Sequence, residues 1–436
     1  MKKKPKLNAK IVVISFFVLL FAGAAVALYL PLRPAYSEAE KRELTKFPEF
    51  SFAALADGSY FNGISTWYAD TFPFREMFMN ANSKIKSFYG IGDTISGFSD
   101  DVGDEIPSIS EDDKPPVTKV TTAPSNQETT TRKPPKKEPI VQQLGNILVV
   151  DNAGYEYYNF VRSIADDYAG VIGRSAESLK GTARVFCMVV PTSMDIMLDE
   201  SVRKKLNSSN QNDAINYIYS MLPSSAYKVK TFDTLLAHRD EYIYFRTDHH
   251  WTALGAYYAY AEYTKLAGIK TAALSDFEEK QFDNFVGSFY NDSGKNPVLE
   301  KEPDIVYAWK PKGDVSMYYT DKKGTKVNWE VIYDVSEWSR GSKYNAFVAG
   351  DQPYSRITNP AITNGSACLV VKESFGNAMI PFLTENYGTV HVIDYRYWDG
   401  NITSFVKNNG IQDVIYVNNI SATRNRSLVN AMDSVA

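Results

Sequence analysis

Cysteine, histidine and long apolar runs are all scarce in this sequence of 436 residues. Its two cysteines, Cys187 and Cys368, are too few for a disulfide framework. Each cysteine lies in an apolar run, which predicts a buried small hydrophobic side chain, with a single disulfide as the alternative. The four histidines limit the number of imidazole ligands that any metal site could have.

Basic charge is scarce once the first ten residues are set aside. The chain has 47 Lys and Arg against 51 Asp and Glu, a formal charge of −4, and five of the lysines precede residue 11. The rest of the chain therefore has 42 basic side chains against 51 acidic ones, a charge of −9. Because phosphate backbones are bound by clustered Lys and Arg, this balance argues against nucleic acid as a partner.

Only one apolar run, residues 11–30, is long enough to cross a bilayer, which excludes a multi-span membrane protein. The lysine-rich residues 1–10 would then form a cytoplasmic tail, and the body would lie outside the cytoplasm. A cleaved signal peptide is the alternative, because Ala25-Val26-Ala27 has the small-x-small form of a cleavage site. The sequence thus predicts a single-pass plasma-membrane anchor with an extracytoplasmic body.

Aromatic residues are absent from one long stretch: of 59 in the chain, none falls between Ser99 and Gly154. Most of this stretch is rich in Pro, Thr, Lys and Glu, so we expect a disordered linker at residues 98–140. Before it, residues 31–97 show apolar side chains at helical spacing, interrupted at Phe72-Pro73. This pattern predicts a juxtamembrane helical segment that packs on the main domain.

Residues 141–436 have the pattern of one α/β domain, with an insertion around 277–357 that is rich in Tyr, Trp and Lys. Apolar, β-rich runs that predict strands lie at 146–150, 184–190, 243–245, 367–371, 390–394 and 414–417. Helix-like stretches separate several of them, which predicts a mostly parallel sheet with helices on both faces. In such a sheet, ligands bind at the carboxyl ends of the strands.

Two of the four histidines are adjacent, His249 and His250, and they follow Asp248 between a predicted strand and a predicted helix. In an extended segment, Asp248 and His250 face the same side and His249 points away. A carboxylate that fixes the tautomer of an imidazole is what a general base needs. A structural cluster with Thr247 or Asp248 as helix N-cap is the alternative, and a metallohydrolase site built on the three residues is another.

Ser374 lies where the predicted strand at 367–371 turns into a helix. A serine at such a corner exposes its hydroxyl at the edge of the sheet, close to backbone N–H groups that can hold an oxyanion. An N-capping serine is the alternative. Asp248, His250 and Ser374 would together supply an orienting acid, a base and a nucleophile.

Several stretches resemble the DHHW-motif proteins of Gram-positive bacteria, which are similar to the SGNH-like domain of alginate O-acetylation proteins. The stretches are FRTDHHWTALGAYYAY, LVVKESFGNAMIPFL with VIDYRYW, SEAEKRELTKFPEF and DTFPFRE. The resemblance implies an SGNH-hydrolase-like α/β fold with Ser374 as nucleophile, His250 as base and Asp248 as orienting acid. The residue before the serine is commonly Asp in this family, whereas here it is Glu373.

The resemblance also implies acyl (acetyl) transfer onto, or removal from, a cell-surface glycan, and a membrane-bound partner that delivers the acyl group. No metal and no cofactor are expected. A non-catalytic glycan-binding or envelope-assembly protein is the alternative.

Five further residues are expected to hold the oxyanion or the substrate. Gly376 and Asn377 are expected at the oxyanion because they follow the serine. His249, Trp251 and Arg396 are expected to contact substrate. The alternative for Trp251 is a core or scaffold position, and the alternative for Arg396 is a structural salt bridge to Asp394 or Asp399.

Overall fold

The computed structural model describes residues 33–34, 36–37, 42–43, 45–52, 55, 59–73, 103–107, 141–144 and 147–436. The expected cytoplasmic tail at 1–10 and membrane anchor at 11–30 lie outside the described residues, as does most of the expected linker at 98–140. Among the residues described, no helix is long and apolar enough to span a membrane.

The described residues fall into two compact units. The first takes those within Met1–Ile91 together with Asn291–Asn296, and the second takes those within Gly92–Tyr290 and Pro297–Ala436. In the first unit, strands β1 (Tyr36–Ser37) and β2 (Arg42–Glu43) pair antiparallel and precede helix α1 (Ser59–Asp70).

The guanidinium of Arg33 lies 4.0 Å from the ring centre of Trp67 in α1 and donates a 2.7 Å hydrogen bond to Thr71. These contacts hold the segment around Arg33 against helix α1. The part of the expected helical segment that follows Phe72-Pro73 lies outside the described residues.

The second unit is built on a mixed sheet of eight strands, in the spatial order β11-β10-β12-β14-β13-β15-β6-β7. Its strands are β6 (Arg184–Val190), β7 (Ala226–Lys228), β10 (Ser316–Thr320), β11 (Lys326–Trp329), β12 (Tyr354–Thr358), β13 (Ala367–Lys372), β14 (Thr389–Asp394) and β15 (Asp413–Asn419). The five strands from β14 to β7 run parallel, whereas β12, β10 and β11 add an antiparallel edge. The fold is therefore mixed α/β.

Both faces of the sheet are buried, as continuously apolar strands require. Along β6, Phe186 and Met188 belong to one hydrophobic cluster, whereas Val185 and Cys187 belong to the cluster on the opposite face. Cys368 joins the first of these clusters, so the two cysteines lie on opposite faces, fully buried and unbonded. The expectation that they are buried small hydrophobic residues is confirmed.

Helices cover each face. Those that contribute to the Cys187 face are α2 (Arg162–Ser178), α5 (Gln211–Met221), α11 (Ile402–Asn408) and α12 (Arg426–Val435). Those that contribute to the Cys368 face are α3 (Ser193–Ile196), α6 (Phe232–Ala237), α7 (Ala253–Ala267) and α10 (Ile380–Leu383). The remaining helices are α4 (Glu200–Arg203), α8 (Ser288–Asp292) and α9 (Pro297–Lys301).

Five more strands lie outside the main sheet. Strands β3 (Val141–Leu144), β4 (Ile147–Val150) and β5 (Ala153–Glu156) form an antiparallel meander. Strands β8 (Phe277–Phe285) and β9 (Asp304–Pro311) pair with each other. The segment expected as an insertion at 277–357 thus contributes this pair and also β10, β11 and most of β12, which extend the sheet.

Candidate active site

The corner that holds Ser374 is positioned by the centre of the parallel sheet. Strand β13 ends at Lys372, which pairs in register with Asp394 on β14 and with Val417 on β15. Ser374 begins a 3-10 turn, Ser374–Ala378, and is only partly buried. Its backbone N–H is therefore among the donors that a helical turn leaves without an internal partner.

Glu373 ties this corner to the neighbouring strand. One carboxylate oxygen accepts the Phe375 N–H at 3.1 Å, and the other accepts the Asn419 N–H at 2.8 Å. Burial raises the pKa of Glu373, because the ionised form is removed from water. The longer Glu side chain at the position before the serine thus reaches across to the end of β15.

The loop that holds Asp248 and His250 lies between α6 and α7 and is not the end of a sheet strand. A single bridge pairs Tyr244 with Trp251, and the Phe245 N–H donates to the His250 carbonyl at 3.3 Å. The segment expected as a strand at 243–245 is therefore the first side of a tight turn and not a strand of the sheet. Because the backbone bends here, the prediction that His249 points away from His250 is wrong: the ring centres are 3.8 Å apart and the planes differ by 36°.

Asp304, at the start of β9, holds the first half of this loop. One of its oxygens accepts hydrogen bonds from the N–H and the hydroxyl of Thr247, at 2.7 and 2.6 Å. The other oxygen accepts the Arg246 N–H at 3.1 Å. Asp304 is fully buried, so these bonds replace the hydration that its carboxylate gives up on folding.

The structure brings Ser374, His250 and Asp248 together in one hydrogen-bonded line. His250 Nε2 lies 2.8 Å from Ser374 Oγ, and His250 Nδ1 lies 2.6 Å from Asp248 Oδ1. The second oxygen of Asp248 accepts the Ser288 N–H at 2.8 Å. Burial alone would raise the pKa of Asp248, but the adjacent charges of His250 and His249 and the hydrogen bonds hold it below its usual range. Asp248 is therefore a carboxylate at neutral pH.

Tyr344 holds His250 from the side. Its ring stacks on the imidazole with the ring centres 3.9 Å apart and the planes within 13°. Its hydroxyl donates to the Ser374 carbonyl oxygen at 3.1 Å. One buried side chain from the 3-10 turn Arg340–Ala346 thus contacts both the expected base and the expected nucleophile.

Trp251 links the histidine loop to the serine corner. Its indole N–H donates to the Phe375 carbonyl oxygen at 2.8 Å, and its side chain is fully buried. Because no face of the ring reaches the surface, the expectation that Trp251 contacts substrate is wrong. The hydrogen bond instead fixes the distance between the two segments that carry His250 and Ser374.

Gly376 and Asn377 lie in the corner, where each donates a hydrogen bond to another group of the protein. The Gly376 N–H donates to the Glu373 carbonyl at 3.1 Å, so the expectation that this N–H holds an oxyanion is wrong. The Asn377 amide N–H donates to Asp351 at 3.0 Å. In the part of the chain that the structure describes, the buried Asn377 Oδ1 has no hydrogen-bond partner.

Arg396 is held by two carboxylates instead of being free for an anionic substrate. Its guanidinium lies 2.7 Å from Asp394 and 2.9 Å from Asp351. Lys372, buried beneath, contacts the same two residues at 3.0 and 3.2 Å. The alternative expected for Arg396, a salt bridge to Asp394, is thus present. The guanidinium is engaged there, and the expected contact with substrate is not supported.

Three consecutive residues before Asp351 have left-handed backbones: Val348, Ala349 and Gly350, with φ of 47°, 62° and 69°. A β-branched residue rarely adopts this conformation, which costs about 1–3 kcal/mol. The surrounding contacts hold the strained turn, and it delivers Asp351 to Asn377, Lys372 and Arg396.

Comparisons with known proteins show the family to which the chain belongs. The family model described as "DHHW protein" matches residues 40–120 and 128–393. The chain belongs to the DHHW family. A DHHW family protein of known structure from Eubacterium siraeum DSM 15702 is 30% identical, with a TM-score of 0.61 over 67% of this chain and 96% of that one. The family membership expected from the sequence is confirmed.

The fold is also similar to that of Bacillus cereus PatB1. One PatB1 structure is 21% identical, with a TM-score of 0.53 over 66% of this chain and 99% of that one. A second, solved with a sulfonyl adduct, is 19% identical with a TM-score of 0.53 over 66% and 97%. No curated protein matches the chain.

The DHHW motif also groups three side chains that could hold a metal ion. One ligand atom each from Asp248, His249 and His250 lies within 4.8 Å of the others. Both ring nitrogens of His250 are engaged, one by Asp248 and one by Ser374. A metal would therefore have to displace one of these hydrogen bonds, and chelation tests that hypothesis.

Sequence reasoning missed five residues that support the site: Gly287, Ser288, Asp304, Tyr344 and Asp351. A Cβ at Gly287 would overlap the carboxylate of Asp248, so only glycine allows the chain to pass there. All five fall within the segment expected as an insertion. No motif in that segment singled out these positions.

Proposed function

We propose that this DHHW protein is a serine acyltransferase or esterase that acts on O-acyl groups, such as acetyl, of cell-surface glycans. The observation that carries the proposal is a pair of consecutive hydrogen bonds. One joins Ser374 Oγ to His250 Nε2 at 2.8 Å, and the other joins His250 Nδ1 to Asp248 at 2.6 Å. A nucleophile, base and orienting acid at these distances are the arrangement of covalent acyl transfer.

In the first half-reaction, Ser374 Oγ attacks the carbonyl carbon of the ester while His250 Nε2 takes the hydroxyl proton. The bond to the leaving alcohol then breaks, and His250 returns the proton to its oxygen, which leaves acyl-Ser374. In the second half-reaction, a sugar hydroxyl or water gives its proton to His250 and attacks the acyl carbon. Ser374 leaves and recovers the proton, so atoms and charge balance.

The carboxylate of Asp248 supports both steps because it stabilises the imidazolium that forms at His250. Its three hydrogen bonds, two from His250 and one from Ser288, hold it in one orientation. Tyr344 on one side and the Trp251 bond on the other restrict movement of the base relative to the nucleophile. The partial exposure of Ser374 gives a substrate access to the hydroxyl.

Two further observations support the proposal without deciding the substrate. The fold is shared with PatB1, whose structure with a sulfonyl adduct points to sulfonyl fluorides as probes here. Residues 11–30 are apolar and follow a lysine-rich stretch, which favours a membrane anchor and work outside the cytoplasm. A membrane-bound partner would then supply the acyl donor.

Hydrolysis of p-nitrophenyl acetate by the full chain in detergent tests the reaction. We expect Ser374→Ala and His250→Ala each to lower the rate by about 10²–10⁴-fold, since both remove groups used in the covalent step. Ser220→Ala, on α5, is the matched control and should leave the rate unchanged. Mass spectrometry should find the acetyl group on Ser374 in the wild type.

Three outcomes would contradict the proposal. Full activity in Ser374→Ala would show that Ser374 is not the nucleophile. Loss of wild-type activity with EDTA would favour a metal site at the DHHW motif. An inactive wild type that binds glycan, with the same affinity in Ser374→Ala, would favour a non-catalytic binding protein. Acetyl transfer to added oligosaccharides would separate a transferase from an esterase.

A further inference from the structure

His249, the first histidine of the DHHW motif, has no part in the line from Asp248 to Ser374, although its ring lies beside that line. The His249 and His250 ring centres are 3.8 Å apart. His249 is half-buried, whereas His250 is buried. Of the two residues, His249 is thus the more exposed.

The contacts of His249 define its tautomer. Ser288 Oγ accepts the His249 backbone N–H at 3.2 Å and lies 2.6 Å from His249 Nδ1. The hydroxyl accepts the backbone N–H and keeps its own proton to donate, and we assign that proton to the bond with Nδ1 of the ring. A neutral imidazole whose Nδ1 accepts a hydrogen bond carries its own proton on Nε2. His249 is then a hydrogen-bond donor at Nε2.

Both imidazoles are anchored at the same end. His250 Nδ1 is bound by Asp248, and His249 Nδ1 is bound by Ser288. Asp248 and Ser288 are themselves joined by a 2.8 Å hydrogen bond. The rings lie side by side with their Nδ1 ends on this joined pair. We infer that their Nε2 ends turn toward the same side, where Ser374 Oγ lies 2.8 Å from His250 Nε2.

The serine corner itself is short of donors for an oxyanion. The backbone N–H of Ser374 is available at the start of its turn. The Gly376 N–H is used by Glu373, and the Asn377 amide donates to Asp351. A tetrahedral intermediate is commonly held by two donors or more, so a second donor is needed beside the Ser374 N–H.

We propose that His249 is a catalytic residue whose neutral Nε2–H donates to the carbonyl oxygen of the substrate ester and holds the oxyanion together with the Ser374 N–H. This inference rests on the proposed acyl transfer at Ser374. It gives the two histidines of the motif separate tasks: His250 moves the proton, and His249 binds the charge that develops on oxygen. Ser288 is the positioning residue that keeps the proton of His249 on Nε2.

The surroundings favour the neutral form that this task requires. Burial lowers the pKa of His249, and the neighbouring charge of His250 lowers it further, against smaller opposite effects of Asp248, Glu156 and Glu373. When His250 holds the serine proton, a second positive charge on the adjacent ring would be repelled. His249 is thus suited to donate a hydrogen bond and unsuited to compete for the proton.

Three variants of the full chain test the assignment in p-nitrophenyl acetate hydrolysis. His249→Leu removes the donor, and we expect kcat to fall by about 10²-fold or more with KM within two-fold, the loss typical of one oxyanion donor. His249→Gln keeps an N–H near the position of Nε2 and should recover at least ten-fold of that loss. Ser288→Ala removes the hydroxyl that keeps the proton of His249 on Nε2, and it should give a kcat between those of the wild type and His249→Leu. His238→Leu, a surface histidine, is the control.

The outcomes separate this inference from the proposed function. If Ser374→Ala is inactive while His249→Leu keeps the wild-type kcat, the role of His249 is wrong and acyl transfer stands. A change in KM alone, or equal loss in His249→Gln and His249→Leu with folding intact by circular dichroism, also overturns it. If the wild type forms no acyl-Ser374, both proposals fall together.

Discussion

The serine corner and the histidine loop meet in one site, but they are held in place by different means. The corner at 372–378 continues a strand that is paired on both sides, so the backbone of the sheet fixes where Ser374 begins. The loop at 244–252 has one isolated bridge of its own and depends on side chains 39 to 58 residues away in sequence, at Ser288 and Asp304. One half of the site is thus placed by regular structure and the other by remote hydrogen bonds.

This difference indicates where the site is vulnerable. A sheet strand shares its position among many backbone hydrogen bonds, and the loss of one side chain shifts it little. A loop held by a few buried polar contacts loses its geometry when any one of them is removed, because the remaining groups are left without partners. Changes beside the loop should therefore affect activity more than comparable changes along the sheet.

Among the variants that test this difference, the largest effect is expected for Gly287→Ala, which acts on the loop from outside it. An added Cβ would overlap the Asp248 carboxylate, so the chain at 287–288 has to move and the Ser288 N–H bond to Asp248 is lost. With its acid displaced, His250 loses its orientation. We expect the rate of p-nitrophenyl acetate hydrolysis to fall by at least about 10²-fold.

Gly170→Ala is the matched control for this change. Gly170 lies within α2, where an added Cβ would meet only the end of the Arg174 side chain. Because Ala is favoured over Gly in a helix interior, the control should keep full activity and equal or higher thermal stability. Wild-type activity in Gly287→Ala would show that the loop tolerates displacement of Asp248. The histidine loop would then be no more sensitive to change than the sheet.

A smaller effect is expected for Trp251→Phe, which cuts the link between the two segments. The substitution keeps an aromatic ring in the core and removes the hydrogen bond to the Phe375 carbonyl. A single buried hydrogen bond contributes about 0.5–1.5 kcal/mol, so we expect the rate to fall by about three- to ten-fold. The loss should appear in kcat, because the link sets the distance between base and nucleophile.

Trp329→Phe controls for the loss of an indole ring. Within the residues that the structure describes, the buried Trp329 indole N–H has no hydrogen-bond partner, so nothing is lost when it is removed. Equal losses of activity in the two variants would show that ring size matters and the Phe375 bond does not.

The same contrast explains what could be predicted from the sequence. The chain from 367 to 378 reads as a buried strand followed by a turn, and the structure has β13 and the Ser374–Ala378 turn there. Continuous apolar runs also predicted the parallel strands β6, β14 and β15. Such features depend on neighbours in sequence, which is the information that hydrophobic patterns contain.

The histidine loop was predicted correctly in its partners and wrongly in its shape. The pairing of Asp248 with His250 follows from their spacing, but an extended backbone would have sent His249 to the opposite side. What bends the loop is Asp304 together with Ser288 and Gly287, and no local pattern connects them to the DHHW motif. Trp251 was assigned to substrate for the same reason, since its partner, the Phe375 carbonyl, lies in another segment.

The smallest effect on activity is expected on the sheet side, at His391 of β14. Burial lowers the pKa of His391 to about 4, with the charge of Arg356 adding to the shift, while Tyr354 hydrogen-bonds the ring at 2.8 Å. Between about pH 6.5 and pH 4 the unfolded chain therefore binds a proton that the folded protein excludes. This contribution to stability is present above pH 6.5 and is lost as the pH falls toward 4, by about 3 kcal/mol at most.

His391→Asn removes the titrating group and keeps an oxygen that can accept the Tyr354 hydroxyl proton. We expect unchanged ester hydrolysis at pH 7 and a smaller drop in melting temperature than the wild type shows between pH 7 and pH 4.5. Equal drops in melting temperature for the variant and the wild type would mean that His391 is solvated. A loss of activity in the variant would mean that changes in the sheet reach Ser374. The expected result, a protonation that alters stability without altering the reaction, would separate the scaffold of the serine corner from the contacts that shape the histidine loop.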